Sequence, residues 1–446
     1  MSFPDTFLDH LEGLPGFLSP AFQEAHRSVP PTSIRLNTFK SALLSFEHTP
    51  IPWSRNGYYL SQRPSFTFDP LFHAGAYYVQ EASSQLLEPI LSACTDLTQP
   101  LRVLDLCAAP GGKSTHLLSL LSENSLLVSN EVIRSRAGIL QDNLDKWGCA
   151  NMVVTQEDPS VLGKLKGFFD MIVVDAPCSG SGLFRKDPDA MLHWSPAAVD
   201  HCAGRQQRIL KDIWPALKAG GSLIYSTCSY ARQEDEDLVQ WILSTFEAGL
   251  QLSDFPSAWG ITRTELGYRC WPHLMKGEGF FVSAIQKKSS ETPLTTKTRF
   301  SMGKLSAEQR KVLADWWQQE DGEWLEGKEG CRAFPSMLLP ELSILSKVCP
   351  SVHIGTRVGS WSHSDFIPDH ALALSRFRHP SLPQLELDRE ESIRYLQRGT
   401  LERSGLEKGW LLATYQGQAL GWIKSLGTRL NNYYPTHLRI LKQSKG

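Results

Sequence analysis

The sequence predicts an α/β fold, a doubly wound and mostly parallel sheet covered by helices on both faces. Two observations carry this. From about residue 96, short apolar runs alternate with amphipathic helical stretches, the pattern of strands buried on both sides. Chemistry-bearing residues then follow run after run, where an open parallel sheet opens its ligand crevice. The runs are LRVLDL (101–106), SLLVSNEV (125–132), NMVVTQED (151–158), FFDMIVVDAP (168–177), GSLIYSTCS (221–229) and GFFVSAIQ (279–286). Between them, 116–123 and 203–221 have the apolar spacing of helices packed by one face.

The remaining segments divide around this core. Residues 1–95 form an N-terminal region. In it SIRLNTFK (33–40) reads as extended, and the stretch at 73–91 ends in a helix entered near Ser83 and Ser84. The α/β domain takes 96–288. A polar stretch rich in Ser, Thr and Pro makes 289–304 a linker. Residues 305–388 form an accessory domain opening with a helix at 307–319. The last part, 389–446, has a helical start and two short β-like runs, a small separate module.

Composition sets outer limits. A chain of 446 residues exceeds one ordinary core. With 41% apolar and 21% charged residues it has a soluble protein's balance. No stretch approaches the roughly 20 apolar residues of a membrane span, and the N-terminus lacks a secretory pattern. Nine unpaired-looking cysteines suit free thiols in a reducing cytoplasm. Net charge is −2, so no overall field attracts polyanions. The distribution differs: beyond Glu407 there is no acid, but Lys408, Lys424, Arg429, Arg439, Lys442 and Lys445 follow. No His/Cys cluster has metal-ligand spacing, so no metal is expected.

The strand ends are the informative part. The first run leads into CAAPGGKST (107–115); the second ends at Glu131, the third at Asp158, the fourth at Asp175-Ala-Pro-Cys178, the fifth at Ser226-Thr-Cys228. Gly111 and Gly112 let backbone approach a ligand, and the helix start behind them favours an anion. A carboxylate at Glu131 suits ribose hydroxyls, and Asp158 suits an adenine amino group. S-adenosylmethionine (SAM) asks for this set, with its carboxylate at the loop Cys107, Ala108, Ala109, Pro110, Gly111, Gly112, Lys113. Each acid alone also reads as a helix cap. The run GGKST imitates a phosphate-binding P-loop, but that motif needs glycine at 107, which is Cys107.

Two cysteines at adjacent strand mouths point to covalent catalysis. A thiolate adding to carbon 6 of cytosine turns carbon 5 into a nucleophile able to take a methyl group. Lys113 and Asp175 are placed to tune that thiol, and Asp175 to hydrogen-bond the ring near nitrogen 3. The alternative is that both cysteines are small buried hydrophobes.

LDLCAAPGGKST, VVDAPCSGSGLFRKDPDA and IYSTCSY resemble the SAM-binding and two-cysteine motifs of the Nol/Nop/Sun family of RNA cytosine-5 methyltransferases, over about residues 73–286. The resemblance implies a class I SAM-dependent methyltransferase core. It implies Cys228 as nucleophile, Cys178 in product release, and SAM contacts at Cys107 to Lys113, Glu131, Asp158 and Asp175. QEDED (233–237) departs locally, since many relatives carry Glu-Asn there. The flanks SIRLNTFK, HAGAYYVQEASSQL and 409–435 resemble the N-terminal region and PUA-like module of the bacterial type that modifies 16S ribosomal RNA. RNA is thus the expected partner, 16S rRNA ahead of transfer RNA, with a monomeric enzyme and no membrane. A non-catalytic RNA-binding assembly factor is the rival. Arg35, Lys40, Arg185 and Lys186 are expected to hold phosphates, and Arg429, Tyr433 and Tyr434 to grip unpaired bases.

Overall fold

A computed structural model describes residues 3–41, 44–290, 292, 294, 303, 305–318, 322–327, 330–349, 352–363, 365–403 and 405–442. Most of the expected linker, the end of the expected helix at 307–319, and Lys445 lie outside the described residues.

Six strands form the heart of a ten-stranded sheet: β1 (Arg102–Asp105), β2 (Leu126–Asn130), β3 (Met152–Thr155), β4 (Phe169–Asp175), β5 (Leu217–Thr227) and β6 (Phe280–Lys287). Their order across the sheet is β6-β5-β4-β1-β2-β3. The first five strands are parallel and β6 is antiparallel to β5. Successive side chains feed two separate cores. Leu104, Val128, Val153, Ile172 and Leu223 join one cluster, while their neighbours Val103, Leu127, Met152, Met171 and Ile224 join the other. That alternation is why the strands are apolar throughout rather than on every second residue.

Helices α1 (Gly112–Leu120), α2 (Arg134–Trp147), α3 (Pro196–Ile213) and α4 (Glu236–Thr245) follow the strand ends. α3 starts earlier than its apolar pattern suggested, because Ser195 caps it through the Ala198 N–H and Pro196 fits its first turn. The tail of the expected helix at 203–221 belongs instead to β5.

The N-terminal region carries an antiparallel sheet, His48–Pro50, Gly57–Leu60, Thr32–Leu36 and Tyr77–Tyr78 in that order. The extended segment and the helix Leu87–Cys94 lie where the sequence pointed. Beyond the linker, Gly322–Gly327, Gly330–Pro335, Thr356–Ser362 and Asp365–Pro368 make a second four-stranded sheet. This part is not self-contained. Val352–Ile354 pairs antiparallel with β3 at the edge of the central sheet, and Leu325, Phe334, Leu338 and Leu342 share a core with β1 and β4. The final sheet joins Gln384–Glu386, Gly409–Tyr415, Gln418–Ser425 and Leu430–Asn432. Among the described residues no helix is long and apolar enough to cross a membrane.

Candidate active site

Topology brings the strand ends together. The loop after β1 turns on Gly111, whose φ of +114° suits glycine, and runs into α1. Helix α2 holds the loop from outside: Arg136 donates to the Ala109 carbonyl at 2.7 Å and Asn143 to that of Pro110 at 2.8 Å. Beneath it, Ser114 donates to Asp105 at 2.6 Å. Asp105 is fully buried, its other carboxylate oxygen has no hydrogen-bond partner among the described residues, and burial pushes its carboxyl up to about 7.

At the ends of β4 and β5, Lys113 reaches Asp175 at 2.7 Å, and Ser226 donates to the other Asp175 oxygen at 2.9 Å. The Lys113 ammonium also lies 5.2 Å from the centre of the Phe280 ring. The sulfurs of Cys178 and Cys228 stand 3.3 Å apart as free thiols. The contact with Cys228, and then burial, push the Cys178 thiol well above its ordinary value.

Two cavities open on this group. One, of about 360 Å³, is walled by Leu106, Ile133 and Pro177 together with the carboxylates of Glu131, Asp158 and Asp175. The other, of about 400 Å³, is walled by Tyr78, Glu81, Lys113, Lys186 and Phe280. Cys107, Ala109, Asp175, Leu183 and Cys228 belong to both. Ala108, Pro110, Gly112 and Lys113 line only the second. Glu131 is buried and already accepts the Ile133 N–H at 2.9 Å and faces Arg136 at 3.3 Å. Asp158 combines two roles. It lines the first cavity and also caps the short helix Pro159–Leu162 through Ser160, whose hydrogen bonds hold its carboxyl below the usual range.

Four of the expected RNA contacts are corrected. Arg35 is buried. Its guanidinium donates to Gln80 and Thr115 at 2.7 Å each and lies over the Trp147 ring, tying the N-terminal sheet to α1 and α2. Lys40 donates to the carbonyls of Ala74 and Lys146 at 2.5 and 2.6 Å, and burial pulls its ammonium down to about 7. Arg185 is buried against Glu278 at 3.0 Å and donates to the Ala25 and Gly277 carbonyls. Tyr434 is core, 1% exposed. Lys186, Arg429 and Tyr433 do face solvent.

Other residues were missed. Glu234 is fully buried and bonds to Ser179 and Ser229, the residues that follow the two cysteines. Its place in the unusual QEDED run was the only available signal. Trp410 and Lys424 join Tyr433: the two rings meet edge to face at 4.5 Å, and the ammonium lies 5.2 Å from the Trp410 ring centre.

Comparison with known proteins agrees with this layout. The family described as 16S rRNA methyltransferase RsmB/F matches residues 94–286. The N-terminal domain of 16S rRNA methyltransferase RsmF matches 3–82, and the methyltransferase RsmF PUA domain matches 383–440. Ribosomal RNA small subunit methyltransferase F of Shewanella loihica is 32% identical over 442 residues, covering 91% of this chain and 88% of its own. The same-named protein of Cronobacter sakazakii is 31% identical, covering 98% and 96%. A methyltransferase homologue from Pyrococcus horikoshii superposes with TM-score 0.54 at 29% identity, over 64% of this chain and 96% of that one. The fold is also that of NSun6 from Pyrococcus horikoshii with SFG, TM-score 0.54 at 19% identity, over 65% and 99%.

The core is thus a class I SAM-dependent methyltransferase, and SAM is its cofactor. The first cavity fits that molecule in size, with a buried carboxylate for hydroxyls, apolar walls for a purine, and Asp175 for a cation. By full-length similarity the chain belongs to the ribosomal RNA small subunit methyltransferase F family and is an RNA methyltransferase.

Proposed function

We propose that the protein methylates carbon 5 of a cytidine in 16S ribosomal RNA, with Cys228 as nucleophile. One observation carries the reading: the two cavities share a wall made of Asp175 and Cys228. A base in the second cavity therefore meets the thiol at the boundary with the first. SAM, in the first cavity against Cys107 and Ala109 of the loop, Glu131, Asp158 and Asp175, supplies an electrophilic methyl group. Cys228 as thiolate adds to carbon 6 of the ring, which makes carbon 5 nucleophilic. Asp175, oriented by Lys113 and Ser226, hydrogen-bonds the ring near nitrogen 3 as charge builds there. After transfer the carbon 5 proton passes to water, the electron pair it leaves restores the 5,6 double bond, and the carbon–sulfur bond breaks with its pair going to the Cys228 sulfur. Cys178 remains protonated, since its thiol is pushed up, and its S–H hydrogen-bonds the departing Cys228 sulfur.

The base must be turned out of any stack to enter, which costs a few kcal/mol. Lys186 at the mouth of the second cavity is suited to a flanking phosphate. On the last sheet, Tyr433, Trp410, Lys424 and Arg429 offer stacking and charge for unpaired RNA.

The test is trapping in cells. Cys178→Ala should accumulate as a protein–RNA adduct, seen as a slow, ribonuclease-sensitive band on a denaturing gel. The band should vanish in the double variant with Cys228→Ala, and sequencing its RNA should return 16S rRNA. If Cys178→Ala forms no band in cells containing unmodified RNA, the role given to Cys178 is wrong.

A further inference from the structure

We propose that Glu234 is a positioning residue, whose one carboxylate ties the loop of Cys178 to the loop of Cys228 and so sets the distance between the two thiols. The inference rests on the reading of that pair as catalytic, and it adds a residue to the machinery that the cysteine motifs do not contain.

The geometry is specific. One Glu234 oxygen accepts the Ser179 N–H at 2.7 Å. The other accepts the hydroxyls of Ser179 and Ser229, each at 2.5 Å. Ser179 follows Cys178 and Ser229 follows Cys228. Three donors from two loops therefore converge on one carboxylate. Neutral bonds run beside them, from Gly182 N–H to the Cys228 carbonyl at 2.9 Å and from Tyr230 N–H to Ser181 at 2.9 Å.

Glu234 is itself anchored from below. Tyr225 donates to its carbonyl at 2.6 Å. Buried Arg269, on the strand Tyr268–Cys270, faces Asp235 at 3.3 Å, donates to Glu236 at 2.6 Å and to the Tyr230 carbonyl at 3.0 Å. The QEDED run is thus the base of the clamp, with Asp235 and Glu236 fixing it and Glu234 holding the loops.

Burying a carboxylate is unfavourable unless its acceptor capacity is used. Glu234 forms no ion pair among the described residues and is 0% exposed. A plain apolar contact would fill the space without that cost. What the carboxylate adds is two oxygens that can bind three donors at fixed angles. Displacing reacting groups by about 1 Å can cost roughly a hundredfold in rate, so a device that fixes two sulfurs at contact has a kinetic use.

The experiment reads the spacing directly, in the full-length protein. Diamide accepts the two electrons and two protons that Cys178 and Cys228 lose as their S–S bond forms. The rate is followed by mass spectrometry of the linked peptides. Wild type should close the pair readily. Glu234→Ala should close it about tenfold more slowly. Its melting temperature should fall, because three donors lose their acceptor, while its affinity for a SAM analogue should stay at the wild-type value. Glu234→Gln should recover most of the rate, because its amide oxygen can take the Ser179 N–H and its NH₂ can donate to the hydroxyls. In RNA methylation, Glu234→Ala should lower kcat by about tenfold with KM for RNA nearly unchanged, and Gln should restore it.

A folded Glu234→Ala that forms the disulfide at the wild-type rate overturns the clamp. If that variant does not fold, Ser229→Ala decides: slowed closure supports the clamp, and unchanged closure overturns it. Closure rates that change as stated, in a protein that never methylates cytidine, would uphold the clamp and refute the proposed reaction.

Discussion

Two arginines of the N-terminal half, Arg35 and Arg185, and the cations of the C-terminal sheet stand in opposite surroundings. Arg35 and Arg185 are buried, and each bonds to groups from distant segments. They are struts between the N-terminal region and the catalytic core. Lys424 lies over the half-buried Trp410 ring, and Arg429, in the turn that follows its strand, is exposed. The contrast teaches that a positive charge reports on RNA only where water still reaches it. A desolvated guanidinium already has its partners, and its removal strands them.

Arg185→Ala should show the largest effect. It leaves Glu278 buried without its cation, and loss of one partner of such a pair costs about 3–5 kcal/mol. Chemical denaturation should show this, and RNA affinity of the remaining folded protein should be little changed. A selective loss of RNA binding without destabilisation would break the comparison.

His26 sharpens it next. It lies in the helix Ser19–Arg27 that Arg185 grips through Ala25, and burial pulls its imidazole from 6.5 down to about 4. The unfolded chain therefore takes up a proton that folded His26 refuses. Stability from neutral His26 is complete above pH 6.5 and drains as pH falls towards 4. His26→Phe should remove that loss. Relative to the variant, wild type should weaken by roughly 3 kcal/mol across this window. Subtraction matters here, because Asp105 and Asp145, both raised to about 7, shift stability the other way.

On the exposed side, Tyr433→Ala should weaken RNA binding by about 1–3 kcal/mol if a base stacks there, with melting nearly unchanged. Arg429→Ala should have the smallest effect, lowering the slope of log affinity against log salt by about one. A titration over salt concentration checks both.

The meeting of the residues proposed as catalytic was legible because topology aims strand ends. Asp175, Cys178 and Cys228 follow apolar runs of adjacent parallel strands, so their meeting required no knowledge of side-chain direction. The RNA face was less legible for the converse reason. Arg35 lies on a strand covered on both faces, where alternation gives no outward side. Tyr433 and Tyr434 are neighbours pointing opposite ways, one partly exposed and one in the core. A pair of aromatics does not say which ring faces water. Glu234 was illegible because its value lies in two partners brought close only by folding. The three-residue strand Val352–Ile354 carries too little pattern to be seen, and its partner is far away in the sequence.

That short strand limits how the gene can be divided. It caps the β3 edge of the central sheet, a row of backbone donors and acceptors that would otherwise be open to another chain. A polypeptide stopped near residue 288 would keep every side chain proposed as catalytic and still present that edge. It should self-associate as it folds, so a catalytic core trimmed for minimal size needs either this strand or a charged substitute on β3.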